Sequence, residues 1–376
     1  MQRILEELKK LNENNQLRRI PNINSKSDGK ICINGKEYIN YASNDYLGIS
    51  TKQELREEFL SKFDCLMSSA SARLLTGSSP EYKELETTVA KLFNKESCLI
   101  FNTGYQANLG VISALISKND VVFSDKLNHA SIIDGMQLSK GDFYRYKHLD
   151  YNNLEKLLSE KRGKYQRAII ISESVFSMDG DTSDIDRLIE LKNKYDCLLM
   201  IDEAHAFCSF GNNLCGMTYG KDVDIITATF GKAVGSFGAF CVSNNKIIEY
   251  LINKSRSFIF STSIPPINIA WSNWLLTEKL DLIKAQKSKL KTITSIAHNY
   301  LKEKNIITPS TTHIIPIVIG SNEDTVRISE ELRSMGYYIP AIRPPTVPEG
   351  SSRLRISLTA DCKEDELKKV LDFVAK

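Results

Sequence analysis

The chain has 376 residues, of which 42% are apolar and 25% are charged, the balance of a globular protein with enough apolar material for a large core. Its 49 basic and 46 acidic side chains leave a formal net charge of +3, which gives no reason to expect a nucleic acid or a membrane as partner. The eight cysteines lack the paired spacing of a zinc site, and no apolar run approaches the length of a bilayer span. Composition therefore predicts a cytoplasmic protein in a reducing compartment with no metal, and excludes a secreted disulfide scaffold.

The first residues predict an amphipathic helix followed by a hairpin. One stripe of this helix is apolar and lies between charged residues, unlike the continuous apolar core of a signal peptide: Ile4, Leu5, Leu8 and Leu11. The segment ICINGKEYINY then alternates around Asn34-Gly35, a two-residue hairpin signal. We expect residues 1–45 to form an N-terminal segment of helix and hairpin.

From about residue 75, short apolar strands alternate with helices. A helix is predicted from Pro80, with Ser79 as its N-cap. Strands are predicted at CLIF (98–101), VVF (121–123), AIII (168–171), CLLMI (197–201) and IITATF (225–230). Continuously apolar strands separated by helices are typical of a parallel sheet covered on both faces. The pattern predicts an α/β fold with a mostly parallel central sheet, in a large domain at 46–280.

The remaining chain predicts a smaller α/β domain at 281–376. Residues 267–303 are expected to be mostly helical. The segments HIIPIVIG, DTVRISEELRSMGYYI, RLRISL and KEDELKKVLDFVAK then alternate as strand, helix, strand and helix.

Polar residues follow three of the predicted strands. The segment NTGY (102–105) opens a helix, whose free N–H groups suit an anion such as phosphate. Asp202 and His205 follow CLLMI, where the pair alone is compatible with a metal half-site, a catalytic pair or a strand-end ion pair. Lys232 lies between glycines after IITATF, in a segment that lacks the spacing of a phosphate loop. We interpret Lys232 as a partly desolvated amine that can form a Schiff base with a carbonyl.

These three groups together satisfy the requirements of pyridoxal phosphate (PLP). That cofactor needs a lysine for the Schiff base, a carboxylate for the pyridinium nitrogen and donors for the phosphate. Ligands of such sheets bind beyond the carboxyl ends of the strands, where all three groups are expected. The residues therefore predict a PLP site.

Segments spread over nearly the whole chain resemble the α-oxoamine synthases, fold-type-I PLP enzymes that condense an amino acid with an acyl thioester and release CO2. The matching segments are YASNDYLGIS (41–50), ARLLTGSSPEYKELE (72–86), FNTGYQAN (101–108), DKLNHASIIDG (125–135), ESVFSMDGD (173–181), IDEAH (201–205), TFGKAVGSFGA (229–239), FSTSIPP (260–266) and IRPPTVPEGSSRLRISLTA (342–360). The last segment is most similar to the subfamily that joins L-alanine to a pimeloyl thioester in biotin biosynthesis. The resemblance implies a PLP-dependent acyltransferase.

The resemblance also implies roles for individual residues. Lys232 matches the Schiff-base lysine, Asp202 the partner of the ring nitrogen, and His205 a donor to the ring hydroxyl oxygen. His129 matches the histidine stacked on the ring, and in its protonated form we expect it to polarise the thioester carbonyl. The remaining cofactor contacts are implied for Thr103, Gly104, Tyr105, Ser177 and Thr229.

Substrate and subunit contacts follow from the same resemblance. Arg353 matches the arginine that pairs with the substrate carboxylate, and Asn44 lies where the family contacts the same group. Ser261 and Thr262 match a segment that reaches the phosphate from the partner subunit. We therefore expect a homodimer with shared active sites.

The sequence departs from the family pattern at three places, of which the first two leave the acyl preference open and the third is expected to reshape the wall of the cofactor site. They are Ser68-Ser69-Ala70-Ser71 in place of a glycine-rich stretch, Tyr82 in place of a histidine, and Phe207-Cys208 after His205. The alternative enzymes share the chemistry: glycine acetyltransfer, aminolevulinate synthesis or sphingoid-base palmitoyltransfer. A non-catalytic partner subunit is the alternative of a different class, and Lys232 argues against it.

Overall fold

The structure is a computed structural model that describes residues 1–375. The helices are α1 (Gln2–Glu13), α2 (Gln53–Lys62), α3 (Pro80–Leu92), α4 (Gly104–Leu115), α5 (Ala130–Leu138), α6 (Tyr151–Lys161), α7 (Ile185–Lys194), α8 (Asn245–Lys254), α9 (Arg256–Ile259), α10 (Pro266–Glu278), α11 (Leu280–Glu303), α12 (Asn322–Ser334) and α13 (Glu364–Val374). The strands are β1 (Ile23–Ser27), β2 (Lys30–Ile33), β3 (Lys36–Asn40), β4 (Ser97–Phe101), β5 (Asp120–Asp125), β6 (Asp142–Tyr146), β7 (Arg167–Glu173), β8 (Leu198–Asp202), β9 (Ile225–Thr229), β10 (Ala239–Ser243), β11 (Ile314–Gly320), β12 (Tyr337–Tyr338), β13 (Ala341–Ile342) and β14 (Ser352–Ser357). None of the helices among these residues is long and apolar enough to cross a membrane.

The chain forms two compact units. The small unit comprises residues 1–52, 177–181 and 288–375, and the large unit comprises residues 53–176 and 182–287. The N-terminal strands belong to the small unit because β3 pairs in parallel with β12, with Ile39 opposite Tyr337. A strand pairing between the two ends of the chain has no local signal in the sequence.

The large unit is built on a seven-stranded sheet in the order β4-β10-β9-β8-β7-β5-β6. The β5–β6, β5–β7, β7–β8 and β8–β9 pairs are parallel, and β10 runs antiparallel to both β4 and β9. The predicted mostly parallel sheet is therefore confirmed, and the five predicted strands are β4, β5, β7, β8 and β9. The edge strand β6 had no apolar signal because most of its residues face solvent.

Helices α4, α5 and α8 bury one face of this sheet. Val111 and Ile112 of α4 and Ile132 of α5 form one apolar cluster with strand side chains such as Ile169 and Ile171, which are two positions apart and so share a face. Phe207 belongs to a separate aromatic group, with its ring centroid 5.0 Å from that of Phe240 and 5.7 Å from that of Phe93. This departure from the family pattern is thus a core side chain.

The other two departures also pack within the large unit. The buried hydroxyl of Tyr82 donates to the carbonyl of Ile264 at 3.1 Å. The hydroxyls of Ser69 and Ser263 lie 2.6 Å apart, and Ala72 forms an isolated bridge with Thr262. Residues 68–72 therefore lie along residues 262–264.

The small unit contains two further sheets, in the orders β1-β2-β3-β12 and β11-β14-β13. The predicted hairpin is confirmed: Ile33 pairs with Lys36, and Asn34 and Gly35 both have positive φ, as the two-residue turn requires. The predicted alternation of strand and helix is also confirmed, as β11, α12, β14 and α13. Helix α1 forms as predicted, but its apolar stripe is exposed and none of its residues is buried.

A buried carboxylate follows β8. The side chain of Glu203 is fully buried, accepts a hydrogen bond from the Met217 N–H at 2.8 Å and accepts another from the Ser174 hydroxyl. Burial raises the pKa of Glu203 to about 7, and these hydrogen bonds oppose the shift only in part.

Replacing Glu203 by Gln should remove a pH-dependent loss of stability. With its pKa raised in the folded protein, Glu203 holds its proton more tightly folded than unfolded, so the free energy of unfolding falls as pH rises from about 4.5 to 7. The loss amounts to roughly 3 kcal/mol. Urea unfolding between pH 5 and 8 should show a shallower pH dependence for Glu203→Gln than for the parent, whereas the exposed Glu84→Gln should match the parent. Parallel curves for all three proteins would contradict this.

Candidate functional site

The carboxyl ends of β7, β8 and β9 bring several predicted site residues to one edge of the sheet. Glu173 pairs with Asp202 in the parallel register, and Asp202 pairs with Thr227. His205 follows three residues after Asp202, and Lys232 three residues after the end of β9. The strand-end placement expected from the sequence is thus present in the large unit.

Lys232 and His205 are in direct contact. The Lys232 Nζ lies 2.7 Å from Nε2 of His205, whose side chain is buried. Two positive charges do not face each other at hydrogen-bond distance, so this contact requires that at least one of the two groups is neutral. One of the two nitrogens therefore donates a hydrogen bond to the other.

Asp202 is held by a buried hydrogen-bond network centred on Asn108. The Asn108 amide donates to Asp202 Oδ2 at 2.7 Å and to the Ser131 hydroxyl at 3.0 Å, and its oxygen accepts from the Thr227 hydroxyl at 2.9 Å. The other carboxylate oxygen of Asp202 accepts from the Ala204 N–H at 2.8 Å. Both oxygens keep lone pairs for a further donor, as a carboxylate that holds a ring N–H requires.

His129 is the N-cap of α5. Its Nδ1 accepts from the Ser131 N–H at 3.2 Å and lies 2.8 Å from the Ser131 hydroxyl, which leaves Nε2 as the protonated nitrogen of the neutral ring. Its backbone N–H donates to Glu173 at 2.5 Å. Burial lowers the pKa of His129 and the charge on Lys232 lowers it further, while Asp202 opposes the shift. These directions favour the neutral imidazole, whereas the sequence led us to expect a protonated one.

The first turn of α4 has the features of an anion site. Thr103 is the N-cap, its hydroxyl accepts from the Gln106 N–H at 3.1 Å, and the N–H groups of the next residues have no partner within the helix. A Cβ added to Gly104 would lie 3.9 Å from Cβ of Thr229, so Gly104 faces Thr229. The Thr229 hydroxyl donates to the Gly238 carbonyl at 2.8 Å and must rotate to donate to a phosphate.

Tyr105, Ser261 and Thr262 lie around the same turn. The Tyr105 hydroxyl donates to Asp134, and its ring meets the His129 ring edge-on at a centroid distance of 6.4 Å. Ser261 accepts from the Gln106 side chain at 3.3 Å, and the Thr262 carbonyl accepts from Asn102 at 2.6 Å. Within one chain, Ser261 therefore contacts α4 and Thr262 contacts the residue before the N-cap of α4. Their role toward a partner subunit stays a prediction.

The substrate residues predicted from the sequence belong to the small unit. Arg353, on β14, is buried and donates from Nη1 to Asp179 at 2.5 Å and from Nε to the Ser351 carbonyl at 3.0 Å. Its positive charge is thus already paired with a carboxylate.

Asn44 and Ser177 contact a different arginine, Arg355. Its Nε donates to the Ser177 carbonyl at 2.6 Å, and its Nη1 lies 3.3 Å from Asn44 Oδ1. Arg355 is two residues after Arg353 and so shares the same face of β14, and among residues 1–375 it forms no ion pair. The structure therefore brings Asn44 together with Arg355 and not with Arg353.

Four residues that now belong to these clusters were not chosen from the sequence: Asn108, Ser131, Glu173 and Arg355. Each lies inside a segment that resembles the family, and Asn108 is the last residue of FNTGYQAN. The alternation in RLRISL was the available signal for Arg355, since it places both arginines on one strand face. Nothing in the chain order indicated that Asn108 lies against Asp202.

The residues of the large unit fit PLP. The buried Asp202 has acceptor capacity for a ring N–H, Lys232 supplies an amine beside a histidine, and α4 presents free N–H groups behind a glycine. Within residues 1–375 no cluster of His, Cys, Asp and Glu suits a metal ion.

We expect Asn108→Ala to weaken PLP binding about tenfold and to lower the free energy of unfolding by about 1–3 kcal/mol, because a buried amide that satisfies Asp202 and Ser131 is lost. PLP titration and urea unfolding measure the two effects. Ser243→Ala is the control: its buried hydroxyl donates to the Asp224 carbonyl at 2.7 Å, and Ser243 ends β10 at the opposite edge of the sheet. It should lose stability but keep PLP affinity. Unchanged PLP affinity in Asn108→Ala would contradict the role given to Asn108.

Comparisons with known proteins identify the family. The family model for aminotransferase class I and II matches residues 36–374. A putative 8-amino-7-oxononanoate synthase of Haemophilus influenzae is 42% identical over 98% of this chain and 98% of its own length. The 8-amino-7-oxononanoate synthase of Chlorobaculum parvum is 38% identical over 97% and 95%.

Solved structures agree with this assignment. A serine palmitoyltransferase from S. paucimobilis with a bound PLP–myriocin aldimine superposes with a TM-score of 0.89 at 27% identity, over 99% of this chain and 96% of its own. An 8-amino-7-oxononanoate synthase from Francisella tularensis superposes with a TM-score of 0.76 at 27% identity, over 90% and 97%. The chain therefore belongs to the aminotransferase class I and II family of fold-type-I PLP enzymes and, within it, to the α-oxoamine synthases that its sequence motifs indicate.

Proposed function

We propose that this chain is a PLP-dependent acyltransferase that condenses L-alanine with a pimeloyl thioester, releases the thiol and CO2, and forms 8-amino-7-oxononanoate. The observation that carries the proposal is the contact of Lys232 with His205 beside the buried Asp202, at the strand ends of a fold-type-I sheet. The near full-length similarity to 8-amino-7-oxononanoate synthases supports this choice of substrates.

Asp202, Lys232 and His205 of the large unit have separate roles in the proton transfers. Bound PLP supplies an electron sink for the negative charge that develops at the amino acid Cα. Asp202 holds the proton on the pyridine nitrogen, because a buried carboxylate stabilises that N–H. Lys232 removes the Cα proton and returns it, and His205 contacts the same amine and keeps it in place.

His129 acts as a neutral donor. Its Nδ1 is occupied by Ser131, so the N–H at Nε2 is the group available to the thioester carbonyl oxygen. This role differs from the protonated imidazole expected from the sequence and agrees with the direction of the His129 pKa.

The substrate carboxylate pairs with an arginine of β14. Arg353 is the residue that the family resemblance implies, and Arg355 is the second candidate. The charge of Arg353 is already matched by Asp179, whereas Arg355 has Asn44 beside it and no carboxylate partner among residues 1–375. A guanidinium without a carboxylate partner gains more from a substrate carboxylate.

A substrate panel tests the function. Alanine with pimeloyl-coenzyme A should turn over fastest, and glycine should be slower by roughly 10–200-fold in kcat/KM because one methyl contact is lost. Serine should be poorer still, because its hydroxyl is desolvated without a partner. Lys232→Ala is the control and should lose both turnover and the borohydride-stable link to PLP. Faster turnover of glycine with acetyl-coenzyme A, or of serine with palmitoyl-coenzyme A, would reject the substrates but not the family.

Alanine kinetics of Arg353→Ala and Arg355→Ala separate the two arginines. Both should raise KM for alanine, and Arg355→Ala should raise it more, by about tenfold or above, because Arg353 is already paired with Asp179. PLP absorbance should stay unchanged in both, which shows that the variants remain folded and loaded. A larger effect of Arg353→Ala on KM would indicate that Arg353, and not Arg355, binds the substrate carboxylate.

We also propose that the protein is a homodimer with shared active sites. The large unit exposes an apolar patch formed by two segments that pack together: Leu66, Met67, Leu74, Leu75 and Phe260. An exposed apolar patch of this kind is typical of a subunit interface. The patch adjoins Ser261 and Thr262, the residues that match the family's partner-reaching segment.

Mixing two inactive variants tests this arrangement. Lys232→Ala combined with a Ser261→Ala/Thr262→Ala double variant should recover activity, because a heterodimer contains one intact composite site. Random exchange of subunits at equal mixing should give about a quarter of the parent activity, because half of the dimers are heterodimers and each has one intact site. Sedimentation of the parent gives the assembly state, and a fully active monomer at assay concentration would reject the dimer.

A further inference from the structure

Residues 177–181, which we call the SMDGD segment, belong to the small unit, although the chain on both sides of them belongs to the large unit. The segment contacts both arginines of β14. Asp179 pairs with Arg353 at 2.5 Å, and the Ser177 carbonyl accepts a hydrogen bond from Nε of Arg355 at 2.6 Å. A short segment outside β14 therefore holds the two cationic side chains of that strand.

Gly180 fixes this segment to the start of β11. Its carbonyl accepts hydrogen bonds from the Thr312 hydroxyl at 2.9 Å, the Thr311 N–H at 3.2 Å and the Ser310 hydroxyl at 3.3 Å. Gly180 has a φ of +67°, and a Cβ added to it would overlap the carbonyl oxygen of Ile314. Both the backbone conformation and the close approach therefore require glycine here.

The contact with Ser177 helps to fix the direction of the Arg355 guanidinium. This group is planar, so two held nitrogens determine where the third one lies. Nε donates to the Ser177 carbonyl, and Nη1 donates to the Ser357 hydroxyl at 2.5 Å and to Asn44 Oδ1 at 3.3 Å. Nη2 lies 3.4 Å from the Tyr46 hydroxyl, the longest of these contacts. Nη2 is therefore the nitrogen with the most capacity for a further acceptor.

The ion pair between Asp179 and Arg353 secures the middle of the segment. The Arg353 side chain is 6% exposed and the Asp179 side chain is 19% exposed, so most of the solvent is excluded from the pair. A charge-assisted hydrogen bond in such surroundings is stronger than one between neutral groups. Arg353 thus connects β14 firmly to the SMDGD segment.

We propose that the SMDGD segment positions Arg355 for the substrate carboxylate, with Asp179 and Gly180 as its anchors. Arg353 is then a positioning residue, because its charge holds Asp179. This inference rests on the proposed function, in which an arginine of β14 binds the carboxylate of an amino acid. Displacement of the segment releases Nε of Arg355 and lets the guanidinium rotate, so the carboxylate loses a correctly oriented partner while PLP stays bound.

Two ligands of the PLP-loaded enzyme separate this positioning role from general damage. Alanine and ethylamine, which is alanine without its carboxylate, both change the absorbance of bound PLP when their amine displaces Lys232. The dissociation constant of ethylamine divided by that of alanine, which we call the carboxylate ratio, measures what the carboxylate contributes to binding. The ratio should fall in every variant that misplaces Arg355, and it should fall furthest in Arg355→Ala.

Thr312→Val tests the anchor at Gly180. It removes the hydroxyl that donates to the Gly180 carbonyl and keeps the size of the buried side chain. The carboxylate ratio should fall about threefold to tenfold, with a rise in KM for alanine. The matched control is Thr325→Val, because Thr325 is equally buried in the small unit and its hydroxyl donates to the Ser321 carbonyl at 2.6 Å. The control should lose stability in urea but keep the parent ratio.

The ion pair provides a second, independent test. Asp179→Asn and Arg353→Ala each break the pair, so they should lower the carboxylate ratio by similar factors, and the double variant should lower it no further. Direct binding of the substrate by Arg353 gives a different result: Asp179→Asn then keeps or raises the ratio, because it frees Arg353. PLP absorbance and thermal unfolding verify that each variant is folded and loaded.

The proposal is overturned if Thr312→Val and Asp179→Asn keep the parent ratio, if they weaken ethylamine and alanine equally, or if Arg355→Ala keeps the parent ratio. Failure of the proposed function gives a different pattern. If alanine and the pimeloyl thioester give no product but the ratio falls as stated, with alanine and ethylamine or with serine and ethanolamine, the substrates are wrong and the positioning role stands. If product forms and the ratios stay at the parent value, the positioning role is wrong and the function stands.

Discussion

The hydrogen bond between Asn108 and the buried carboxylate of Asp202 is the interaction on which the cofactor cluster depends. A carboxylate at a strand end with little solvent access is costly unless its oxygens are satisfied. Asn108 satisfies one oxygen and, through Ser131 and Thr227, connects helices α4 and α5 with strand β9. Because Ser131 also contacts His129, the orientations of the acidic group and of the histidine are coupled through one amide.

An acidic group and a basic group with shifted pKa values, Glu173 and His129, lie at the same edge of the sheet. Glu173 is buried near Asp202, and burial together with the neighbouring charge of Asp202 raises the pKa of Glu173 well above its usual range. Burial lowers the pKa of His129. Both shifts favour the neutral forms of Glu173 and His129. Pairs of titratable groups pushed apart in pKa are typical of catalytic sites.

Two arginines of the small unit differ in whether they have an acidic partner. Arg353 is neutralised by Asp179, whereas Arg355 has no carboxylate partner among residues 1–375. A guanidinium group without a carboxylate partner can form a bidentate pair with an incoming carboxylate, which is why Arg355 is the second candidate for the carboxylate of the proposed amino acid substrate.

The sequence by itself predicted five of the seven strands of the large sheet, their mostly parallel pairing, the hairpin at Asn34-Gly35 and the residues at the strand ends, because these depend on local periodicity, turn chemistry and motif spacing. Strand β10 was not among the predicted strands. The sequence also did not indicate strand β6, whose exposed residues have no apolar pattern, or the pairing of β3 with β12, which joins distant parts of the chain. Only the tertiary structure decided that Asn108 holds Asp202 and that Asn44 contacts Arg355 while Arg353 is paired with Asp179. Those contacts join residues far apart in the chain, and side chains at long sequence separation meet only when packing brings their elements together.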